Sequence, residues 1–423
     1  MDDLMTTSAN ALSITEQTVR ELSRRLNEPE WLLSRRVDAY RAFASMAMPN
    51  PLAEEWRRTD ISALDLEATL AAPRDAAATW SIGDEAPGVY ARGHGLPDAF
   101  FFGEVSQALP KHEALLREHL HSLVLSTEWR LSALQATLWQ QGALVYVPRG
   151  VEVEVPLHYL VSGAAGPVFP HLLIVAEENS SVTVIQETES PSGQAQSLAV
   201  GAVEIVARPD ARVRFLEVQR WGDNVYNFST IRARLDRGSR LTAGLVGLGS
   251  RLTKTKLEAI MDGDGASAEL LGLSFGDGHQ HFDYGTLQDH IAPRTASDLL
   301  FKAALEDHSS EVWTGTVHIQ KGASLSEANQ TSRNLLLSDH AKAAPIPVLE
   351  IEAYDILRCS HGASAGPLDE EQRFYLESRG IPKAEAERLL VEAFFQPVLD
   401  RMPAEAIRPR LEAALAAKIE AGY

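Results

Sequence analysis

The feature that most constrains this chain is a break that recurs between short apolar runs. A turn residue, a small residue, one or two variable residues and an apolar start appear at Asn179-Ser180-Ser181-Val182, Asp210-Ala211-Arg212-Val213, Gly238-Ser239-Arg240-Leu241 and Gly265-Ala266-Ser267-Ala268. Looser copies follow at Thr295-Ala296-Ser297, Ser309-Ser310-Glu311-Val312, Gly322-Ala323-Ser324-Leu325 and His340-Ala341-Lys342-Ala343. The early steps are about 27 to 31 residues, and roughly half that from Ala296 to Ala323. Runs such as Leu144-Val145-Tyr146-Val147, Val182-Thr183-Val184-Ile185 and Val213-Arg214-Phe215-Leu216 have the two-residue alternation and β-branched content of strands. A near-constant step implies stacked coils, each burying its inner side chains against the next, with the small residue where the coil turns tightly. A β-helix (solenoid) is therefore expected over residues 141–365, with a large β-sandwich as the alternative.

The flanks read differently. Residues 1–140 are expected to form a mainly helical domain, with helical stretches at Thr15 to Arg36, Trp31 to Phe43 and His112 to Gln140, and an irregular Ala/Pro/Gly-rich segment from Asp65 to Gly95. Residues 366–423 turn helical again. Asp369 with Gln372 three residues on is a capping-box variant, Gly380 is placed to close that helix, and Pro382 opens the next, to about Met402. Pro403 breaks it, and a last helix covers Ala404 to Glu420. The fold class expected is mainly β, a solenoid core between two helical domains.

Charge and cysteine content narrow the function. The 423 residues carry 39 Lys and Arg against 58 Asp and Glu, a formal net charge of −19. That disfavours nucleic acid and anionic lipid as partners. The single cysteine, Cys359, excludes an intrachain disulfide and a complete cysteine-ligated cluster held by one chain. The start, Met1-Asp2-Asp3-Leu4, lacks a basic region before an apolar run, and no long apolar stretch follows, so a cytoplasmic protein without a membrane span is expected. There is no P-loop, no nucleophile elbow and no His-Glu-x-x-His, so bound ATP is not expected.

Three clusters carry candidate chemistry. Cys359 and His361, two apart on a strand, share a face and offer a thiol and an imidazole to a transition metal; a buried cysteine acting as a small apolar residue, with a histidine near a turn, explains the same residues. His279, His281 and Asp283 alternate like metal ligands, with His290 downstream; a solvated coil face explains that alternation as well. Trp56-Arg57-Arg58-Thr59 and Phe374-Tyr375-Leu376 read as core or docking aromatics.

Several strings together resemble one family. Cys359-Ser360-His361-Gly362-Ala363, followed by Phe374-Tyr375-Leu376-Glu377-Ser378-Arg379-Gly380-Ile381, is similar to the SufB/SufD family of iron–sulfur cluster assembly proteins. Asn334-Leu335-Leu336-Leu337-Ser338, Pro347-Val348-Leu349-Glu350-Ile351, Glu55-Trp56-Arg57 with Thr59, and residues 142–151 extend the likeness over nearly the whole chain. The lone cysteine resembles the SufD branch, because SufB relatives carry several.

The resemblance implies a right-handed parallel β-helix. It implies a non-enzymatic scaffold that pairs with a SufB-like paralogue and binds a SufC-like ABC ATPase through its C-terminal helices, with a sulfur donor reaching the complex. His361 is the position that the resemblance places at the paralogue interface, as a metal ligand shared with the partner chain, with Cys359 beside it in a less secure role. The implied cluster is transient and sits at the complex interface; the isolated chain is expected to hold no cofactor tightly, neither cluster nor FAD. Phe374, Tyr375, Leu389, Phe394 and Phe395 are expected to form the ATPase-docking surface, so that truncation after Gly366 would leave the solenoid folded. The strands over residues 346–357 come last and should leave an open edge. Two alternatives stay open: a homomeric SufB-like scaffold, and a metal-dependent β-helix or cupin-type enzyme using His279, His281 and Asp283.

Overall fold

The computed structural model describes residues 14–72, 76–82, 96–140, 142–163 and 166–421. The first thirteen residues and part of the segment expected to be irregular lie outside them. Sixteen strands, β3 to β18, wind into a solenoid of eight turns. Two more, β1 (Ala77–Ile82) and β2 (Phe101–Glu104), close its start. Odd-numbered strands from β3 (Gly142–Val147) to β17 (Lys342–Ile351) stack in one sheet, and even-numbered strands from β4 (Leu157–Ser162) to β18 (Arg358–Gly366) in the other. All neighbours within this stack are parallel, whereas β1 pairs antiparallel with β4 and β2 antiparallel with β3. Coils, not a sandwich, are therefore the outcome.

The recurring break marks one corner of the solenoid. Asn179, Asp210, Gly238, Gly265, Arg294 and Leu325 all have positive φ there, a left-handed turn that lets each coil reverse. The next residue, Ser180, Ala211, Ser239, Ala266, Thr295 or Ser326, is at most 2% exposed, so size at that position is limited by the coil above and below. Two readings of the repeat need correction. The half-steps arise because the opposite corner uses the same pattern, with Asp307 at positive φ ahead of buried Ser309. Gly322-Ala323 is not the corner itself; Leu325-Ser326 is, and a leucine in the left-handed position hid it.

Three apolar layers hold the molecule together. Inward side chains such as Val184, Phe215, Leu245, Leu270 and Phe301 fill the solenoid. The outer face of the odd-strand sheet is covered by α1 (Glu16–Arg25), α2 (Glu30–Ser45), α4 (Val105–His119) and α5 (Arg130–Leu138). Here the helix expected from His112 to Gln140 is in fact two, separated by a loop at 120–129, and the stretch Thr15 to Arg36 is broken before α2. The short α3 (Leu66–Ala71) and β1 also order parts of the segment read as irregular.

The outer face of the even-strand sheet is covered by α7 (Lys383–Leu399) and α8 (Arg408–Ala421), through Val391, Phe395, Val398, Leu399, Leu411 and Leu415 against Leu216, Val218, Leu271, Leu273 and Phe275. Truncation after Gly366 would expose this whole face, an apolar surface that the solenoid alone would have to keep in solution. The cap of α6 (Glu370–Ser378) agrees with its sequence: Asp369 accepts from the N–H groups of Glu371 and Gln372, and Gly380 follows at φ +88.

Two carboxyls are sealed inside the coils. Glu217 accepts from Gln186 at 3.3 Å, and Glu311 accepts from the Ser274 hydroxyl. Burial pushes Glu217 up to about 7 and Glu311 up to about 8. A carboxyl whose pKa is raised on folding favours the fold fully below its unfolded value near 4.5; that contribution is lost as pH rises through 7 to 8. Glu311→Gln keeps an acceptor for Ser274 and removes the ionisation. The variant is expected to melt several degrees above the unsubstituted chain near about pH 9, and with it near about pH 5. A melting temperature of the unsubstituted chain that stays flat between those values would show Glu311 ionised in the fold.

Candidate functional site

The C-terminal end of the solenoid has no covering coil, because β17 and β18 are the outermost strands of their sheets. The two exposed edges differ. Lys342 N–H donates to Ser309 and Glu352 N–H to Ile319, at 3.1 and 2.8 Å, so even-numbered residues of β17 bond inward. Odd-numbered residues face outward, and two of these are Pro345 and Pro347, which have no N–H to offer. The strand beneath β18, β16 (Glu327–Leu336), bonds backward through Glu327 N–H to Thr295 at 3.0 Å, so its even-numbered residues bond forward; with Ala328 opposite Cys359, the even-numbered residues of β18 bond inward. The N–H groups of Cys359, His361, Ala363 and Ala365 then face the open side, and none is proline. Around this end Ile351, Tyr354 and Leu357 are exposed, Tyr354 completely.

Cys359 and His361 lie on this last strand, on the face that continues the solenoid interior. Cys359 pairs in register with buried Ala328, and His361 with buried Gln330. Cys359 is half-buried against the small cluster of Val317, Ile319, Ala323 and Ala353, and burial pushes its thiol up, toward the protonated form. His361 is exposed at the mouth of the interior. Beneath it, Gln330 Nε2 donates to the Val348 carbonyl at 3.3 Å while its buried Oε1 has no hydrogen-bond partner. The sequence pattern gave no sign of Gln330, which reads as one polar residue in an alternating strand.

The set His279, His281 and Asp283 is not a ligand set. His279 is exposed and stacks on His308 with ring centres 5.0 Å apart; His308 stacks on His340 at 4.6 Å. Asp283 is buried and neutralised by Lys254 Nζ at 2.5 Å, and it also accepts from the Thr59 hydroxyl. His281 bonds Thr59 and Ser310 at 3.0 and 2.8 Å. His290 is buried and spent on Thr295 and Ser297, both at 2.8 Å. The alternation was real, but His279 belongs to a corner and the other two lock the N-terminal segment down. Trp56 completes that lock, with Trp129 at 5.4 Å and Lys254 over its ring at 4.8 Å.

The aromatic residues near the C-terminus divide in two. Phe374 and Tyr375 on α6 are 71% and 56% exposed, and Leu389 is half-buried on α7. Phe395 is fully buried in the layer between α7 and the solenoid, and so cannot line a docking surface. Phe394 packs against the same layer beneath Lys302, whose ammonium sits 4.5 Å from its ring.

The core domain of the SufBD proteins of the SUF system for FeS cluster assembly matches residues 159–394, more than half of the chain. The chain is 28% identical to an iron–sulfur cluster assembly SufBD family protein of Staphylococcus saprophyticus, over 93% of this chain and 90% of the relative. It is also 28% identical to such a protein of Staphylococcus aureus strain MRSA252, over 96% and 93%. The chain belongs to the SufBD family of iron–sulfur cluster assembly proteins. Among the described residues no helix is long and apolar enough to cross a membrane.

Proposed function

We propose that the chain is a non-enzymatic, SufD-like scaffold subunit that acts only in a complex. It pairs with a SufB-like paralogue through the open end of the solenoid, and a SufC-like ABC ATPase docks on its C-terminal helices. The observation that carries this reading is the unfinished end: an unblocked strand edge on β18, an exposed apolar rim, and one imidazole beside one thiol at the mouth. One thiol and one imidazole hold an iron–sulfur cluster too weakly to retain it, so the remaining ligands come from the partner. Cluster is the cargo of the assembled complex and not a resident cofactor of this chain. The acidic balance, −19 overall, fits neither nucleic acid nor an anionic membrane as the surface met.

Phe374 and Tyr375 fit the ATPase-docking role best, because they are large, apolar and not used in packing. Phe374→Ala with Tyr375→Ala is expected to reduce capture of the co-expressed ATPase subunit by about 10- to 100-fold, at unchanged melting temperature. Phe395→Ala instead should lower stability by about 3–5 kcal/mol, as a large core deletion. Capture unaffected by the Phe374 and Tyr375 pair would move the docking site elsewhere.

A further inference from the structure

A second group of ligating side chains lies far from His361, under the N-terminal helices. The loop after α4 turns at His121, which has φ 55, and drops its ring toward the sheet. There it meets His171 on β5 (His171–Ala176) and Glu204 on β7 (Ser197–Ala207), both 0% exposed. One ligand atom from each of the three lies within 4.8 Å of the others. We propose that His121, His171 and Glu204 form a buried site for a first-row divalent transition-metal ion of the zinc or ferrous type, joining the N-terminal helices to the solenoid.

Each residue supports this separately. His171 Nε2 is 3.0 Å from Glu204 Oε2, about the separation of two neighbouring ligands that each sit ~2.1 Å from one ion. Glu204 is held from behind by the N–H groups of His121, Leu123 and Val124, at 2.6, 2.6 and 3.0 Å, the supporting shell that fixes a ligating carboxylate. His171 Nδ1 is 3.4 Å from Gln135 Nε2, which also donates to the Pro170 carbonyl, so its ring is also fixed from behind. His121 is the anomaly. Both of its ring nitrogens are shut off from solvent, and neither makes a hydrogen bond of ordinary geometry; its ring leans on the backbone near Val124. Leaving a buried imidazole unpaired costs about 1–3 kcal/mol, and an ion removes that cost. A cavity of about 260 Å³ reaches the ring past Arg35, Ser122 and Trp139 and supplies an entry path.

The surrounding charges choose the kind of ion. Arg36 is spent on Glu28 at 2.6 Å, and Arg35 bonds the carbonyls of Arg117 and Leu120. Glu204 is thus the sole anionic ligand in the group. That disfavours calcium or magnesium, which want several oxygens, and favours an ion that accepts two imidazole nitrogens.

The test uses the full chain, stripped with a chelator and titrated with Co²⁺ and, separately, Zn²⁺. One Co²⁺ per chain with visible ligand-field absorption is expected, together with a rise in melting temperature with either ion. His121→Asn removes the ligand and keeps a residue that tolerates positive φ, so it should fold. It is expected to weaken binding by more than about tenfold and to abolish the melting shift. His308→Ala, which breaks the exposed stack with His279 and His340, should leave both intact. Equal binding by the His121→Asn chain, binding lost with His308→Ala instead, or no binding at micromolar metal would each overturn the proposal.

Discussion

His361→Ala is expected to leave the subunit folded and the complex assembled, and to lower cluster content by at least about tenfold. The side chain is exposed and packs against nothing that its loss would unsettle, so its effect on stability should stay within about 0.5 kcal/mol. Its chemistry is less replaceable. Neutral imidazole is a good iron ligand, and on this chain its one soft neighbour is Cys359, two residues away. Burial holds that thiol protonated, so Cys359→Ser should cost less than His361→Ala. Anaerobic reconstitution of the purified complex with iron and sulfide, followed by visible absorbance, distinguishes the two. Cluster yield equal to that of the unsubstituted complex would leave His361 outside the mechanism. ATP hydrolysis by the partner subunit should persist in either variant.

The second large effect concerns the edge of β18. Ala363→Pro with Ala365→Pro removes two outward N–H donors while sparing the bonds that β18 makes inward to β16 (Glu327–Leu336). Two lost backbone hydrogen bonds, each worth about 0.5–1.5 kcal/mol net, correspond to about 10- to 100-fold in affinity for the paralogue. Sedimentation of the mixed subunits measures it, and circular dichroism confirms the fold. Equal affinity would show that partners meet through side chains and not by strand addition. The reciprocal change, Pro345→Ala with Pro347→Ala, restores donors to β17 and should raise self-association of the isolated chain, because it creates a second usable edge.

The solenoid was legible because its signal is repeated. Each corner demands a left-handed turn and a small buried residue, so six coils vote on the same pattern, and a single deviant such as Leu325 does not hide it. The helices were less legible at their ends. His112 to Gln140 reads as one apolar stripe, and only the structure breaks it at 120–129; that break is what brings His121 onto the sheet. The candidate site was half legible. Cys359 and His361 stand two apart in the sequence, so their shared face followed from strand geometry. Gln330, His171 and Glu204 come from other coils, joined to their neighbours only by register. Asp283 shows the opposite failure: its spacing imitated a ligand, and Lys254, far away in sequence, had already claimed its charge.

The unequal ends of the solenoid bear on how such a molecule avoids growing into a fibre. A stack of parallel coils is a template for more of itself, and a unit open at both ends would polymerise. Here β1 and β2 run against the stack at one end, so that end cannot accept a continuing parallel strand. At the other end Pro345 and Pro347 interrupt one of the two edges. The unit thus has a valence of one, like a chain terminator in polymer chemistry: two such units can meet end to end, and after that neither has an end left to offer.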